Sequence, residues 1–191
     1  MSSTRIRLAA LGATLLGALA LAAPAQATDT TAAPSRTAFS AQAREAGLDD
    51  GQAAELQRRV DAEVATTGGR QIAANKIALD KDARTVMLLT LPGEERVREL
   101  SGPEASFADP CARGWACLYP YPNFEGNAIK MYECGKVGNP WYGTGSWINN
   151  QPSNYRMKFY DRSGRLGWTS PGGYAEDRNA PLDWVGYVAA C

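Results

Sequence analysis

The sequence contains no histidine. That absence removes serine-histidine and cysteine-histidine nucleophiles, histidine-ligated metals and imidazole acid-base chemistry, and with them most hydrolase mechanisms. Aromatic residues are nearly missing from the first 110 positions, where only Phe39 and Phe107 occur, and cysteine is missing there altogether. Excess charge is missing as well, since 20 basic side chains balance 20 acidic ones over 191 residues. Without a concentrated basic face, the chain lacks the composition of a nucleic-acid binder. After residue 27 no apolar run is long enough to span a bilayer.

These gaps divide the chain into three parts. Arg5 and Arg7 precede an uncharged run at 8–23, followed by Pro24 and the small-residue triplet Ala25-Gln26-Ala27. This charged, apolar and small-residue order is that of a secretory signal peptide over 1–27, with the exported chain expected to begin at Thr28. A membrane anchor is the competing reading, but the run is rich in Ala and Gly and ends at Pro24 and an A-x-A site. Export implies a secreted, extracellular product with no membrane attachment after cleavage. In an oxidising compartment the four cysteines, Cys111, Cys117, Cys134 and Cys191, should form two disulfides.

Residues 28–109 carry a net charge of −4 and residues 110–191 one of +2, which permits a weak, salt-screened attraction between them. The first of these parts opens on a polar, Ala/Thr-rich stretch at 28–37. Asp49-Asp50 then caps an expected helix whose apolar positions Ala53, Leu56, Val60 and Val64 repeat every three or four residues, and Gly68-Gly69 ends it. Residues 76–79 and 85–91 read as two strands joined by the turn Asp80-Lys81-Asp82, with Pro92-Gly93 after the second. The charged stretch 94–104 reads as a linker. A unit at 38–92 with so few large side chains buries only a thin core. Residues 28–109 are therefore a small α+β segment. It is either a retained accessory domain or a propeptide, ordered by docking on the cysteine-containing half and removed within 93–110.

Residues 110–191 hold 15 of the 17 aromatic residues and 11 of the 19 glycines. Short runs at 115–119, 128–132 and 156–160 are separated by turn residues, the pattern of an all-β domain. An internal echo supports this. Tyr119, Phe124 and Gly126 recur at the same spacing as Tyr160, Arg165 and Gly167, offset by 41 residues. Two such units predict two Greek keys packed as a sandwich.

The stretch from Cys111 through Trp115 and Cys117 to Tyr119, then Asn123-Phe124-Glu125-Gly126, Glu133-Cys134-Gly135 and Trp147-Ile148-Asn149-Asn150, resembles the secreted peptidase-inhibitor family typified by the Streptomyces metalloproteinase inhibitor. The resemblance covers roughly the last 80 residues, densest at 111–154. It implies a βγ-crystallin-like fold and inhibition of thermolysin-like zinc proteinases by a presented loop. It also implies a Cys111–Cys117 disulfide and, with it, Cys134–Cys191. In the type member the reactive bond of the second Greek key lies beside a closely spaced cysteine pair; here the corresponding stretch, 161–174, has no cysteine. The residues left to enter a proteinase cleft are Arg165 and Leu166, between Gly164 and Gly167; the alternative is a solvated turn between two strands. A loop without its disulfide must be ordered on binding and should bind more weakly.

The resemblance further implies a calcium site of carbonyl and hydroxyl oxygens at Asn149, Asn150 and Ser153, of weak affinity because amides replace carboxylates. The alternative is a loop held by Asn and Ser hydrogen bonds to its own backbone. The equivalent stretch of the second unit, Asp177-Arg178-Asn179, has an arginine at the site. No cofactor is required by this reading. The five tryptophans are spread through 110–191 and are expected to fill the core, Trp141 alone being exposed. Glu125, Glu133, Asp161, Glu176, Asp177 and Asp183 have no catalytic spacing, so an enzyme is not expected. The function read from the sequence is a monomeric, secreted proteinase inhibitor. Its alternatives are a calcium- or carbohydrate-binding βγ-crystallin-type module and an antimicrobial toxin-like protein.

Overall fold

The computed structural model describes residues 35–100 and 110–191, so the expected signal peptide and its cleavage point lie outside the described residues. The first element is a helix that the sequence pattern did not disclose, α1 (Arg36–Glu45), capped by the Ser35 hydroxyl accepting the Ala38 N–H. Its inward side is only Phe39 and Ala43, too short a stripe to show a period. The expected helix follows as α2 (Asp50–Thr67). Asp49 accepts the Gln52 N–H while the Gln52 carboxamide accepts the Asp49 N–H, a reciprocal cap that starts the helix where the sequence places it. Ala53, Leu56 and Val60 face inward, and the helix closes at Gly68.

Eleven strands follow among the described residues. They are β1 (Arg70–Ala73), β2 (Lys76–Ala78), β3 (Thr85–Leu88), β4 (Ala116–Tyr119), β5 (Ala128–Met131), β6 (Lys136–Gly138), β7 (Thr144–Asn149), β8 (Lys158–Asp161), β9 (Leu166–Thr169), β10 (Ala175–Pro181) and β11 (Val185–Ala189). All strand pairings are antiparallel and form two sheets, one in the order β1-β2-β3-β5-β4-β7-β10 and the other β6-β11-β8-β9. Chain order and sheet order differ in a reciprocal way. β6 leaves β4, β5 and β7 to join the second sheet, and β10 leaves β8, β9 and β11 to join the first.

The pairing of β3 with β5 joins the two halves of the chain. Thr85 lies opposite Met131, and the register runs through to Leu88 opposite Ala128. All four residues of β3 are buried. The thin core expected for the first half is thereby completed from the second: Leu56, Val60, Ile77 and Met87 belong to the same buried cluster as Leu118, Ile129 and Met131. The stretch expected to be a linker is also packed as far as Leu100. The Arg98 guanidinium donates to the Ala46 carbonyl at 3.1 Å, and Gln42 donates to the Leu100 carbonyl at 2.9 Å. On the other side, Glu95 accepts the Gly126 N–H at 2.7 Å. Charge attraction between the halves is a minor part of this, since the Arg84–Glu133 pair is half exposed on both sides. Ala33–Cys191 accordingly make one compact unit.

Candidate functional site

Both expected disulfides are present, Cys111–Cys117 and Cys134–Cys191. The second ties the last residue to the chain between β5 and β6. The two echoed motifs have diverged in use. In the first, the Tyr119 and Phe124 rings meet at 5.5 Å and Gly126 adopts φ +82°, a left-handed conformation that favours glycine. In the second, Gly167 has no such backbone; it is needed for room, because a Cβ there would lie 2.3 Å from the Trp184 ring.

That second unit carries the candidate inhibitory hairpin, β8 and β9 joined through residues 162–165. The turn is organised by one side chain. The Asp161 carboxylate accepts the Ser163 hydroxyl at 2.6 Å, the Ser163 N–H at 2.9 Å, the Arg165 N–H at 3.0 Å and the Arg165 Nε at 3.1 Å. The Ser163 hydroxyl, followed by the Arg165 N–H, holds the Asp161 carboxyl down to about 2 from an ordinary 3.8. From the second sheet, Lys136 donates to the Gly164 carbonyl at 3.1 Å and sits 3.9 Å over the Tyr160 ring. Arg165 is 84% exposed and Leu166 54% exposed, so the two expected contact residues stand outward on a hydrogen-bonded turn. The turn is thus held by one carboxylate and one lysine.

Two of the expected calcium ligands, Asn149 and Asn150, are hydrogen-bonded within the fold. Asn149 is fully buried; its Nδ2 donates to the Tyr155 carbonyl at 3.2 Å, and its Oδ1 accepts from Gln151 at 2.8 Å. Asn150 donates to the Cys111 carbonyl at 2.8 Å, bracing the first disulfide loop. Ser153 is exposed. The Asn150 carboxamide oxygen and the Ser153 hydroxyl are the side-chain oxygens of this set outside these bonds, and calcium binding here would draw further on backbone carbonyls and water. Across the second unit, Arg178 stacks 4.5 Å from the Phe124 ring. Among the described residues no group of three Asp, Glu or Cys side chains could hold a metal ion.

The carboxylates considered for catalysis are taken up separately. Glu133 pairs with Arg84, Glu176 accepts the Tyr174 hydroxyl and pairs with Arg178, and Asp183 accepts the Gly143 N–H. The Tyr174 hydrogen bond is the main influence lowering the Glu176 carboxyl.

The tryptophans depart from expectation. Trp141 is only partly exposed, because the Asn139 carboxamide grips its backbone at both ends, donating to its carbonyl and accepting its N–H, and turns it onto the core. Trp168 and Trp184 are the exposed ones, at 42% and 38%. Trp168 packs at a tilt against Trp147 at 5.4 Å and against Phe159 at 5.3 Å, and together with Trp184 these rings line an open cleft of about 470 Å³ beside Leu166. Their positions, 147, 159, 168 and 184, give no clustering signal in the sequence; Phe159 and Trp168 are cross-strand partners on β8 and β9, while Trp147 comes from β7 of the other sheet and Trp184 from the turn before β11. No family model, curated protein or solved structure matches this chain.

Proposed function

We propose that the exported chain is a secreted, non-catalytic inhibitor of metalloproteinases, built on two interlocked Greek keys of the βγ-crystallin type. The strand exchange supports the fold reading. Within each run of four strands the fourth lies beside the first, β7 beside β4 and β11 beside β8, while the third crosses to the other sheet. The segment 28–109 is the pro-segment of this inhibitor, ordered by the pairing of β3 with β5.

The observation that carries the functional reading is the turn at 161–166. An inhibitory loop must hold its bound shape before it meets the enzyme, since ordering it on binding subtracts from affinity. Four hydrogen bonds to Asp161 and one from Lys136 supply that order, and Arg165 and Leu166 project from it. The test is to incubate the secreted protein with thermolysin-like and serine proteinases, reading residual activity and the intact mass of the protein. Inhibition of the metalloproteinases, lost in Leu166→Asp, is the expected result. Full activity of every proteinase at micromolar protein would refute the assignment.

A further inference from the structure

The cleft beside the hairpin combines aromatic rings with a single carboxylate. Trp147 and Asp177 are direct cross-strand partners on β7 and β10, so their side chains share one face of the first sheet. Trp168, Phe159 and Trp184 complete the surround. Asp177 is the only charged residue lining the cleft, and among the described residues no lysine or arginine forms an ion pair with it. Its Oδ1 takes the Asn179 N–H at 2.8 Å, which fixes the side chain without neutralising it. Aromatic faces are themselves electronegative, so rings and carboxylate act with the same sign.

We propose that this cleft binds an organic cation, a quaternary or primary ammonium carried on an apolar stem. Its volume of about 470 Å³ is that of a small-ligand site. The rings are fixed before any ligand arrives: Trp168 is wedged against Trp147 and Phe159, and Trp184 lies in the space that the missing side chain of Gly167 leaves. A neutral sugar would call for several convergent hydrogen-bonding groups, whereas here one carboxylate stands among apolar and aromatic side chains. The same chemistry is carried by a free choline-type molecule and by a lysine side chain of a partner protein. The proposal does not require that partner to be a proteinase.

The experiment titrates the exported full chain with tetramethylammonium, choline, Nα-acetyl-lysine amide and the neutral tert-butyl analogue of choline, followed by calorimetry and tryptophan fluorescence. Saturable millimolar binding of the cations is expected, with the neutral analogue about tenfold weaker. Asp177→Asn, which keeps the shape and the acceptor for Asn179, should weaken the cations about tenfold and leave the neutral analogue unchanged. Trp184→Ala should abolish binding. Tighter binding of choline points to a free small molecule, and tighter binding of the lysine amide to a protein side chain. Equal affinity for the neutral analogue, full affinity in Asp177→Asn, or no saturable cation binding by protein with an unaltered melting transition would overturn the proposal. Proteinase inhibition retained in Asp177→Asn would separate this site from the inhibitory turn.

Discussion

Met87 offers a direct test of whether the two halves of the chain are one folding unit. It is fully buried on β3, with Ile77 opposite it on one side and Ile129 on the other. Truncating such a side chain to alanine removes its transfer free energy and leaves a cavity, a loss of about 2–5 kcal/mol. For a unit of this size each kcal/mol moves the melting temperature by about 2–4 °C, so a mid-range loss of about 3 kcal/mol lowers it by roughly 6–12 °C. Two probes separate the halves cleanly. All five tryptophans lie after residue 110, so their fluorescence reports only the cysteine-containing half. Both α-helices among the described residues lie before residue 68, so ellipticity at the helical band reports the first half. If the sheet is continuous, Met87→Ala lowers both transitions together, although no tryptophan is on the mutated side. An early helical transition with an unmoved tryptophan transition would refute the shared core.

Two further outcomes follow from the site. Because the Asp161 carboxyl is held below its unfolded value, the order it gives the turn is complete above about pH 4 and fades as pH falls toward 2; the protection of the Ser163 and Arg165 amides, measured as exchange relative to the intrinsic rate at each pH, should fall across that window, and in Asp161→Ala it should be lost at every pH. Replacing Cys134 and Cys191 by serine opens a loop of 57 residues, a loss of about 4 kcal/mol on the chain-entropy account, and should lower the melting temperature by roughly 8–16 °C with the tryptophan signal of the native state retained.

Local chemistry was legible and partnership was not. The cap at Asp49, the stop at Gly68 and the apolar period of α2 are short-range signals, and each reappears in the fold. Strands β2, β3, β4 and β5 fall within the runs that alternation and turn residues mark out, and β8 overlaps the run at 156–160 and continues to Asp161. By contrast β1, with Arg70 and Gln71 in a four-residue strand, has no pattern to read, and α1 shows only two buried residues. The pairing of β3 with β5 joins residues 40 to 46 positions apart and is specified by burial alone, since β3 is apolar on both faces apart from Thr85. The exposure of Arg165 and Leu166 accords with their flanking glycines, but the carboxylate that organises their turn looked like any surface acid. The role of Asp161 depends on which N–H groups the turn points at it. The misjudged exposure of Trp141 has the same origin, in a carboxamide two residues away whose grip only the folded chain reveals.

The joint between β3 and β5 has a consequence for any molecule whose backbone is cut between 93 and 110. Both disulfides lie within 111–191, so no covalent bond would then connect the two pieces. The strand pairing and the shared cluster around Met87 and Ile129 do not depend on that stretch of backbone. A single hydrolysed peptide bond would therefore turn an internal stability into a dissociation constant. Before the cut, the helical piece is held at the effective concentration set by its tether; afterwards it stays only at protein concentrations above that constant. Dilution into the surroundings then becomes the trigger for release, and the bared edge of β5 is left to accept whatever strand it meets next.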